Sequence, residues 1–141
     1  MGFLQGLAGN LSELSKEDIS KNYGRFLLDN EKIESGYKLI RDAIVITDHR
    51  IIIFDKQGAT GKKMRVESIH LNTIIEVSCE TAGAGIDDSE LNLSYIKSPN
   101  HKANSLVISE RKFEFPKKFD LVPLYIYFET KAQENLKRIN G

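Results

Sequence analysis

The chain has 141 residues, and its 20 Lys and Arg residues balance its 20 Asp and Glu residues, so the formal net charge is zero. With 40% hydrophobic and 28% charged residues, the composition is typical of one folded domain that buries a single core, and it excludes a disordered chain. The balanced charge argues against nucleic-acid binding driven by overall charge.

Three features of the sequence predict where the protein resides. Cys79 is the single cysteine, which excludes an intrachain disulfide and is typical of a reducing compartment. No apolar run reaches the roughly 20 residues that a membrane-spanning helix requires. The opening MGFLQGLAGN has no basic segment and contains glycines, unlike a secretory signal. We therefore expect a cytoplasmic protein.

Residues 1–24 are predicted to form an N-terminal helical extension that precedes a domain over 25–141. Apolar residues recur at three- and four-residue steps, which predicts a stripe along one side of a helix. Gly9-Asn10 interrupts the stripe and is the expected end of a short first helix. Ser15 is positioned to cap a helix by accepting the amide of Asp18, and Gly24 is its expected end. The apolar stripe comprises Phe3, Leu4, Leu7, Leu11 and Leu14.

From about residue 31 the hydrophobic period changes to the alternation of β-strands, beginning with Ile33, Ser35 and Tyr37. The segments AIVIT and IIIF are β-branched and almost wholly apolar, as expected of central strands. Because Asp48 and His49 alone separate Thr47 from the next strand, and both tolerate positive φ, a tight hairpin is predicted there.

A fourth strand follows the turn at 55–61. Three more are predicted from alternation around Ile75, Val77 and Cys79, around Leu91, Leu93 and Tyr95, and in SLVIS with KFEF, where Phe113 and Phe115 share one side.

The C-terminal segment combines strand propensity in PLYIYFE with apolar residues at helical spacing. The helical spacing continues beyond PLYIYFE, so a helix is predicted over 121–139. Asp120 would cap it, and Pro123 would fall in its first turn, where no intrahelical amide bond is lost. The predicted stripe comprises Leu121, Leu124, Tyr125, Phe128, Ala132, Leu136 and Ile139.

This order of elements predicts an α+β, mainly β fold. Consecutive hairpins make antiparallel sheets, and a helix can cover the open end of a core that two such sheets share. The prediction is a pleckstrin-homology-like barrel of two antiparallel sheets with about seven strands, closed by a C-terminal helix and preceded by N-terminal helices.

Several motifs occur in order over residues 1–95: IRD, DKQGATGKK, ETAG and ELNL. In these the sequence resembles the bacterial pleckstrin-homology-domain family (the YvbH-like proteins, formerly a domain of unknown function). The resemblance implies a pleckstrin-homology-like fold, no known enzymatic activity and a tendency to form ring-like homo-oligomers. It implies no particular ligand. Beyond residue 95, the segment IKSPNHKANSLVISERKFEF looks longer than the family's usual link into its last strand.

The segment DKQGATGKK raises the question of a phosphate-binding loop. A Walker-type loop has four residues between its glycines and a Ser or Thr after its lysine, whereas two residues separate Gly58 from Gly61 and Lys62 is followed by Lys63. The GxxG of KH domains joins helices, whereas this one joins predicted strands. The pattern favours a turn whose glycines adopt positive φ and whose lysines are solvated.

Basic residues near this turn nevertheless form a candidate anion site. The candidate ligand-binding residues are Lys56, Lys62 and Lys63. Lys38 and Arg41 would extend them into a basic edge, attracting anionic lipid at about 1 kcal/mol per basic residue. The connection of the first two strands, Arg41-Asp42, is too short to wrap an inositol phosphate, and Asp42 would repel one.

The sequence indicates no catalytic or metal site and no cofactor. DDSE at 87–90 lacks the ligand spacing of a calcium loop, and the three histidines lie far apart without metal-ligand spacing. Cys79 is in phase with Val77, which predicts a core thiol rather than a nucleophile. We therefore predict no enzymatic activity.

The N-terminal stripe has three alternative uses: packing on its own barrel, packing on a neighbouring subunit, or lying on a membrane. The lack of Lys or Arg before Lys16 disfavours a position on a membrane.

We predict a self-associating scaffold or protein-interaction module in a ring-like homo-oligomer, whose interface includes Phe3, Leu4, Leu7 and Leu11. The alternative function is anionic lipid or phosphate-ligand binding at the basic edge, and nucleic acid is not an expected partner.

Overall fold

The computed structural model describes residues 12–58, 62–83 and 88–141. Its elements are α1 (Lys16–Tyr23), β1 (Ile33–Lys38), β2 (Ala43–Thr47), β3 (Arg50–Gln57), β4 (Lys63–His70), β5 (Ile74–Glu80), β6 (Ser89–Ile96), β7 (Ile108–Phe115) and α2 (Val122–Asn140), with short 3-10 turns at Gly24–Phe26 and Leu71–Thr73. The strands form two antiparallel sheets, ordered β1-β2-β3-β4 and β5-β6-β7. This confirms the predicted order of four strands, three strands and a helix.

The chain divides into two compact units, Met1–Ile69 and His70–Gly141. The first contains α1 and the four-stranded sheet, and the second contains the three-stranded sheet and α2. The predicted division into 1–24 and 25–141 is a different one, based on sequence periodicity, and stays a prediction.

Helix α1 begins and ends where the sequence predicts. Ser15 Oγ accepts the backbone N–H of Asp18 at 3.1 Å, which satisfies one of the amides that a helix start leaves without a partner. Gly24 follows the last helical residue, but its φ of −58° shows that it ends the helix without a left-handed conformation. The buried side chain of α1 is Ile19, which packs with Leu14 and the sheet residue Val45.

Residues 12–14, which precede the helix predicted to begin after Ser15, form an extended segment beside β1. Lys38 N donates to Ser12 O at 2.7 Å and Leu14 N donates to Gly36 O at 2.9 Å, on either side of an antiparallel bridge at Glu13. The outer edge of β1 offers unpaired backbone groups, and pairing with them satisfies both segments. The short segment therefore extends the sheet at β1.

The centre of the four-stranded sheet is wholly apolar. All five residues of β2 are buried, and residues 51–54 of β3 are buried beside them, with Val45 opposite Ile52. Each of these strands has a neighbour on both sides in the sheet. Since consecutive residues point to opposite faces and all are buried, both faces of the two strands carry core residues. This confirms that AIVIT and IIIF are central strands.

Asp48 and His49 make the predicted two-residue connection between β2 and β3. Neither residue has the positive φ that the sequence analysis expected. Among the described residues, Asn30 is the one non-glycine with positive φ. Instead, Thr47 Oγ1 accepts the N–H groups of His49 at 3.1 Å and Arg50 at 3.0 Å. The threonine side chain stabilises the turn, so neither residue needs the left-handed region.

The second unit packs α2 against β5 and the preceding 3-10 turn. Leu124, Phe128 and Ala132 are buried, and Pro123 lies in the first turn, as predicted. Asp120 Oδ1 accepts the N–H of Val122 at 3.2 Å. The predicted stripe is wrong at Leu136, which is 41% exposed.

Asn135 is the buried residue at that level of α2. Its side-chain amide donates to the backbone carbonyls of Leu71 at 2.8 Å and Ile74 at 2.7 Å. Leu71 lies in the 3-10 turn and Ile74 is the first residue of β5, so the Asn135 amide ties α2 to both elements. A polar residue is therefore favoured at a position that the apolar period does not predict.

Two strand details also differ from the prediction. An irregularity in β5 between Ile74 and Glu76 buries Ile74 and leaves Ile75 half-buried, because an extra residue reverses the alternation. Strand β7 begins only at Ile108, so much of SLVIS lies in the preceding loop. Phe113 and Phe115 are both buried on one side of β7, as predicted.

Candidate functional site

The connection from β3 to β4 joins two strands, as predicted. Gly58 has a φ of +78°, a conformation that glycine adopts without steric cost, whereas Gly61 lies outside the described residues. Lys56 is exposed near the end of β3, and Lys62 and Lys63 are exposed at the start of β4. With a strand rather than a helix after the lysines, the segment lacks the helix N-terminus of a Walker-type loop.

The turn from β1 to β2 lies at the same end of the four-stranded sheet. Lys38 pairs with Ala43, which pairs in turn with Phe54 near the end of β3. Leu39 N donates to Asp42 O at 2.7 Å, so the connecting residues are 40 and 41. The connection is thus one residue earlier than the predicted Arg41-Asp42, and it is equally short.

The structure therefore brings the predicted basic residues of two separate turns to one end of one sheet, which we name the basic end. It comprises the described residues 38–42, 55–58 and 62–63. Its five basic side chains are exposed, whereas its two acidic ones, Asp42 and Asp55, are half-buried. Asp55 Oδ2 accepts the side-chain amide of Gln57 at 2.9 Å. Positive charge therefore dominates the solvent-facing part of the basic end.

The opposite end of the sheet holds a buried ion pair that the sequence analysis missed. The Glu31 carboxylate accepts Arg50 Nε at 2.8 Å and Nη2 at 2.9 Å, and it also accepts Thr47 Oγ1 at 2.6 Å and the N–H of Leu28 at 2.9 Å. Arg50 also donates from Nη1 to Ser68 Oγ at 2.7 Å. Nothing in the spacing of residues 31 and 50 indicates this pair.

The environment of Glu31 lowers the pKa of its carboxyl group to about 2. The hydrogen bonds from Arg50 are the largest cause, and those from Leu28 and Thr47 act in the same direction, whereas burial opposes them. A carboxylate with all these donors keeps its charge at neutral pH and has no proton to exchange. Its role is to tie residues 26–31 to the β2–β3 hairpin.

The described residues contain no assembled metal centre. Within 12–58, 62–83 and 88–141, no group of three or more His, Cys, Asp or Glu side chains is placed to hold a metal ion. Cys79 is half-buried rather than fully in the core, and burial raises the pKa of its thiol, which disfavours the reactive thiolate.

The predicted interface residues Phe3, Leu4, Leu7 and Leu11 lie outside the described residues. Within the described part, exposed aliphatic side chains occur at other places, in both units. They are Leu28, Ile40, Val107, Ile108, Val122, Ile126 and Leu136. None of the described helices combines the length and the apolarity needed to cross a membrane.

Comparison with known proteins identifies the family. A family model described as the bacterial PH domain matches residues 2–136. The chain belongs to this family. The bacterial PH domain described here is 48% identical over 93 residues to the uncharacterized protein YjqA of Bacillus subtilis (strain 168), covering 66% of this chain and 74% of YjqA. It is 36% identical over 78 residues to the uncharacterized protein YozO of the same organism, covering 55% and 68% of the two chains.

Solved structures confirm the pleckstrin-homology-like fold of this bacterial PH domain. It is similar to the pleckstrin homology domain from Shewanella amazonensis SB2B, with 34% identity and a TM-score of 0.63, over 93% of this chain and 98% of that one. It is also similar to a DUF1696 family protein with a pleckstrin-homology domain from Shewanella loihica PV-4, with 30% identity and a TM-score of 0.63, over 86% and 96%. Both matches cover more of the chain than the motifs over residues 1–95.

Proposed function

We propose that this bacterial PH domain is a cytoplasmic, non-enzymatic module that binds proteins and associates with copies of itself in a ring-like homo-oligomer. Its family resemblance implies such rings. Membership of the bacterial PH domain family supports a non-enzymatic role, because the resemblance implies no known enzymatic activity.

The observation that carries the proposal is the exposed start of β7. This strand is the last in its sheet order, and a terminal strand presents backbone donors and acceptors to a further chain. Val107 is 61% exposed and Ile108 is 44% exposed at its beginning. Exposed aliphatic residues at a terminal strand offer both backbone pairing and apolar burial to a partner.

A ring requires two different surfaces that bind each other head to tail. The terminal strand β4 of the first unit is a candidate for the second surface, because seven of its eight residues, all except Ile69, are half-buried or exposed. Pairing of β7 of one copy with β4 of the next would use unlike strands. Such a contact closes into a ring when the rotation between subunits permits it.

Light scattering after size exclusion tests self-association. We expect a mass several times 16.0 kDa for the full chain at micromolar concentration, and a monomer would contradict the proposal. The double variant Val107→Lys/Ile108→Lys places charges at the β7 edge and should lower the mass. Leu28→Lys is the matched control, since Leu28 is equally exposed but lies in the segment before β1. Equal masses for the double variant and the wild type would exclude this edge.

The basic end supports a second candidate function, the binding of an anionic lipid or phosphate ligand. The favouring observation is that the fold gathers Lys38 and Arg41 with Lys56, Lys62 and Lys63. Co-sedimentation with anionic vesicles, compared with Lys62→Glu/Lys63→Glu, tests this function. Lys32→Glu is a control charge reversal at the opposite end of the sheet. Equal binding by the double variant and the control would reject these lysines.

A further inference from the structure

Residues 12–14 cover part of the outer edge of β1, and we name this segment the edge strap. Lys38 N donates to Ser12 O at 2.7 Å, and Leu14 N donates to Gly36 O at 2.9 Å. A single antiparallel bridge lies between these two hydrogen bonds. On its other side, β1 pairs with β2 at five positions. The edge strap is therefore the less extensive of the two attachments of β1.

The edge strap joins α1 at Ser15, which is extended (φ −71°, ψ 154°) and caps the helix. Helix α1 has its own anchor in Ile19, a side chain with no exposed surface. From the edge strap, Leu14 adds one half-buried side chain to the same apolar cluster. A segment with few buried contacts opens with a smaller change in free energy than the whole domain. The edge strap can therefore leave β1 while α1 stays packed on the sheet.

Glu13 occupies the centre of the edge strap, directly opposite Tyr37 of β1. Its carboxyl is half-buried, and this burial raises its pKa above the ordinary value of 4.5. The charged residues that flank Glu13 are exposed. They are residues 16–18 in the first turn of α1 and Lys38, whose side chain alternates to the face opposite that of Tyr37. None of these described residues contributes to the pKa shift, so burial disfavours the ionised carboxylate while the edge strap lies on β1.

We propose that the edge strap is a pH-sensitive latch on β1, closed while Glu13 is protonated and loosened when Glu13 is ionised. In the open state Glu13 meets water and returns to its ordinary pKa, so closing binds protons at pH values between the ordinary and the raised pKa. The proton-linked part of the closing free energy is fully present below pH 4.5, and it is lost as pH rises through the raised pKa.

Opening of the latch presents the backbone groups of residues 36–38 to solvent or to an added strand. The latch therefore makes the covering of the β1 edge depend on pH. This regulation goes beyond the proposed self-association, which uses β7 and β4.

Hydrogen–deuterium exchange of the full chain, resolved to single amides, tests the latch. The amide of Lys38 reports the state of the latch, because its acceptor is Ser12 O in the edge strap. The side chain in Glu13→Gln stays neutral, so the Lys38 amide of this variant should exchange severalfold more slowly than that of the wild type near neutral pH. One unit of pKa shift corresponds to about a tenfold change in the opening equilibrium.

The pH dependence provides a second readout. After correction for the intrinsic exchange rate, protection of the Lys38 amide in the wild type should increase as pH falls towards 4.5. The increase should be smaller in Glu13→Gln. Glu34→Gln is the matched control, because Glu34 is an exposed carboxylate of β1, and it should behave like the wild type.

Three results would overturn the latch. The first is equal protection of the Lys38 amide in Glu13→Gln and the wild type near neutral pH, and the second is an equal change in Glu34→Gln. The third is a matching change in the amides of β2, which is paired on both sides, because it would mean that Glu13→Gln stabilises the whole unit.

Leu14→Ser tests the latch in the opposite direction. It removes the apolar contact of the edge strap, so the Lys38 amide should exchange severalfold faster while the amides of β2 keep their rates. An unchanged Lys38 amide in Leu14→Ser would also contradict the proposal. Circular dichroism of each variant verifies that it is folded.

Discussion

Arg50 binds Glu31 through two parallel hydrogen bonds, from Nε at 2.8 Å and from Nη2 at 2.9 Å. The Glu31 side chain is fully buried and that of Arg50 is 12% exposed. Arg50 also donates to the carbonyl of Phe26 at 2.8 Å and to Ser68 Oγ. One side chain thereby holds the segment before β1 to β3 and β4, and its loss affects three parts of the first unit.

Arg50→Leu should lower the free energy of unfolding by about 3–5 kcal/mol, because it leaves the Glu31 carboxylate buried without its counter-ion. Urea unfolding followed by circular dichroism measures the change. Arg65→Leu is the matched control, since Arg65 contacts Glu67 at 3.6 Å with 66% of its side chain exposed. An exposed pair contributes about 1 kcal/mol or less, so a similar loss in both variants would contradict the structural role of Arg50.

Stability should decrease in acid because of Glu31. The folded protein lowers the pKa of this carboxyl from 4.5 to about 2, so the unfolded chain takes up a proton at a pH where the folded one does not. The resulting stabilisation, roughly 3 kcal/mol, is present above the unfolded pKa and is lost as pH falls towards the folded value. Urea unfolding of the wild type and Glu31→Gln between about pH 5 and pH 2 measures this. The other carboxyls titrate in both proteins, so parallel pH profiles would be evidence against a lowered pKa.

Asn135→Leu should destabilise the protein by about 1–3 kcal/mol, because it removes the donor of two hydrogen bonds and leaves the carbonyls of Leu71 and Ile74 buried without it. Thermal unfolding measures the loss. The reverse exchange at the adjacent position, Leu136→Asn, is the control. Leu136 is 41% exposed, so this variant should lose less stability, and the opposite ranking would contradict the assigned role of Asn135.

Gly36→Ala should destabilise the first unit by about 1–3 kcal/mol through overpacking. A Cβ at this position would lie 2.6 Å from Cδ1 of Ile19, a side chain without any exposed surface. Ile19→Val removes that methyl group, so the double variant should lose less stability than the sum of the two single variants. Additive losses in urea unfolding would show that Gly36 is not constrained by Ile19.

The basic end could be predicted from the sequence only in part. Lys56, Lys62 and Lys63 are neighbours in sequence, and the turn that separates them is recognisable from its glycines. Lys38 lies at the same end of the sheet because of the register of β1 with β2 and of β2 with β3. The sequence suggests a basic edge, but strand pairing determines which side chains share it.

The sequence alone determined four features of the fold. They are the order of strands, the central position of AIVIT and IIIF, the cap at Ser15 and the C-terminal helix. Each depends on residues a few positions apart, whose spacing directly reflects local backbone geometry. Only the tertiary structure decided three other features. These are the Glu31–Arg50 pair, the burial of Asn135 instead of Leu136, and the pairing of residues 12–14 with β1. Their partners lie far along the chain, and a buried polar group is stable only where the fold places the complementary group within hydrogen-bond distance.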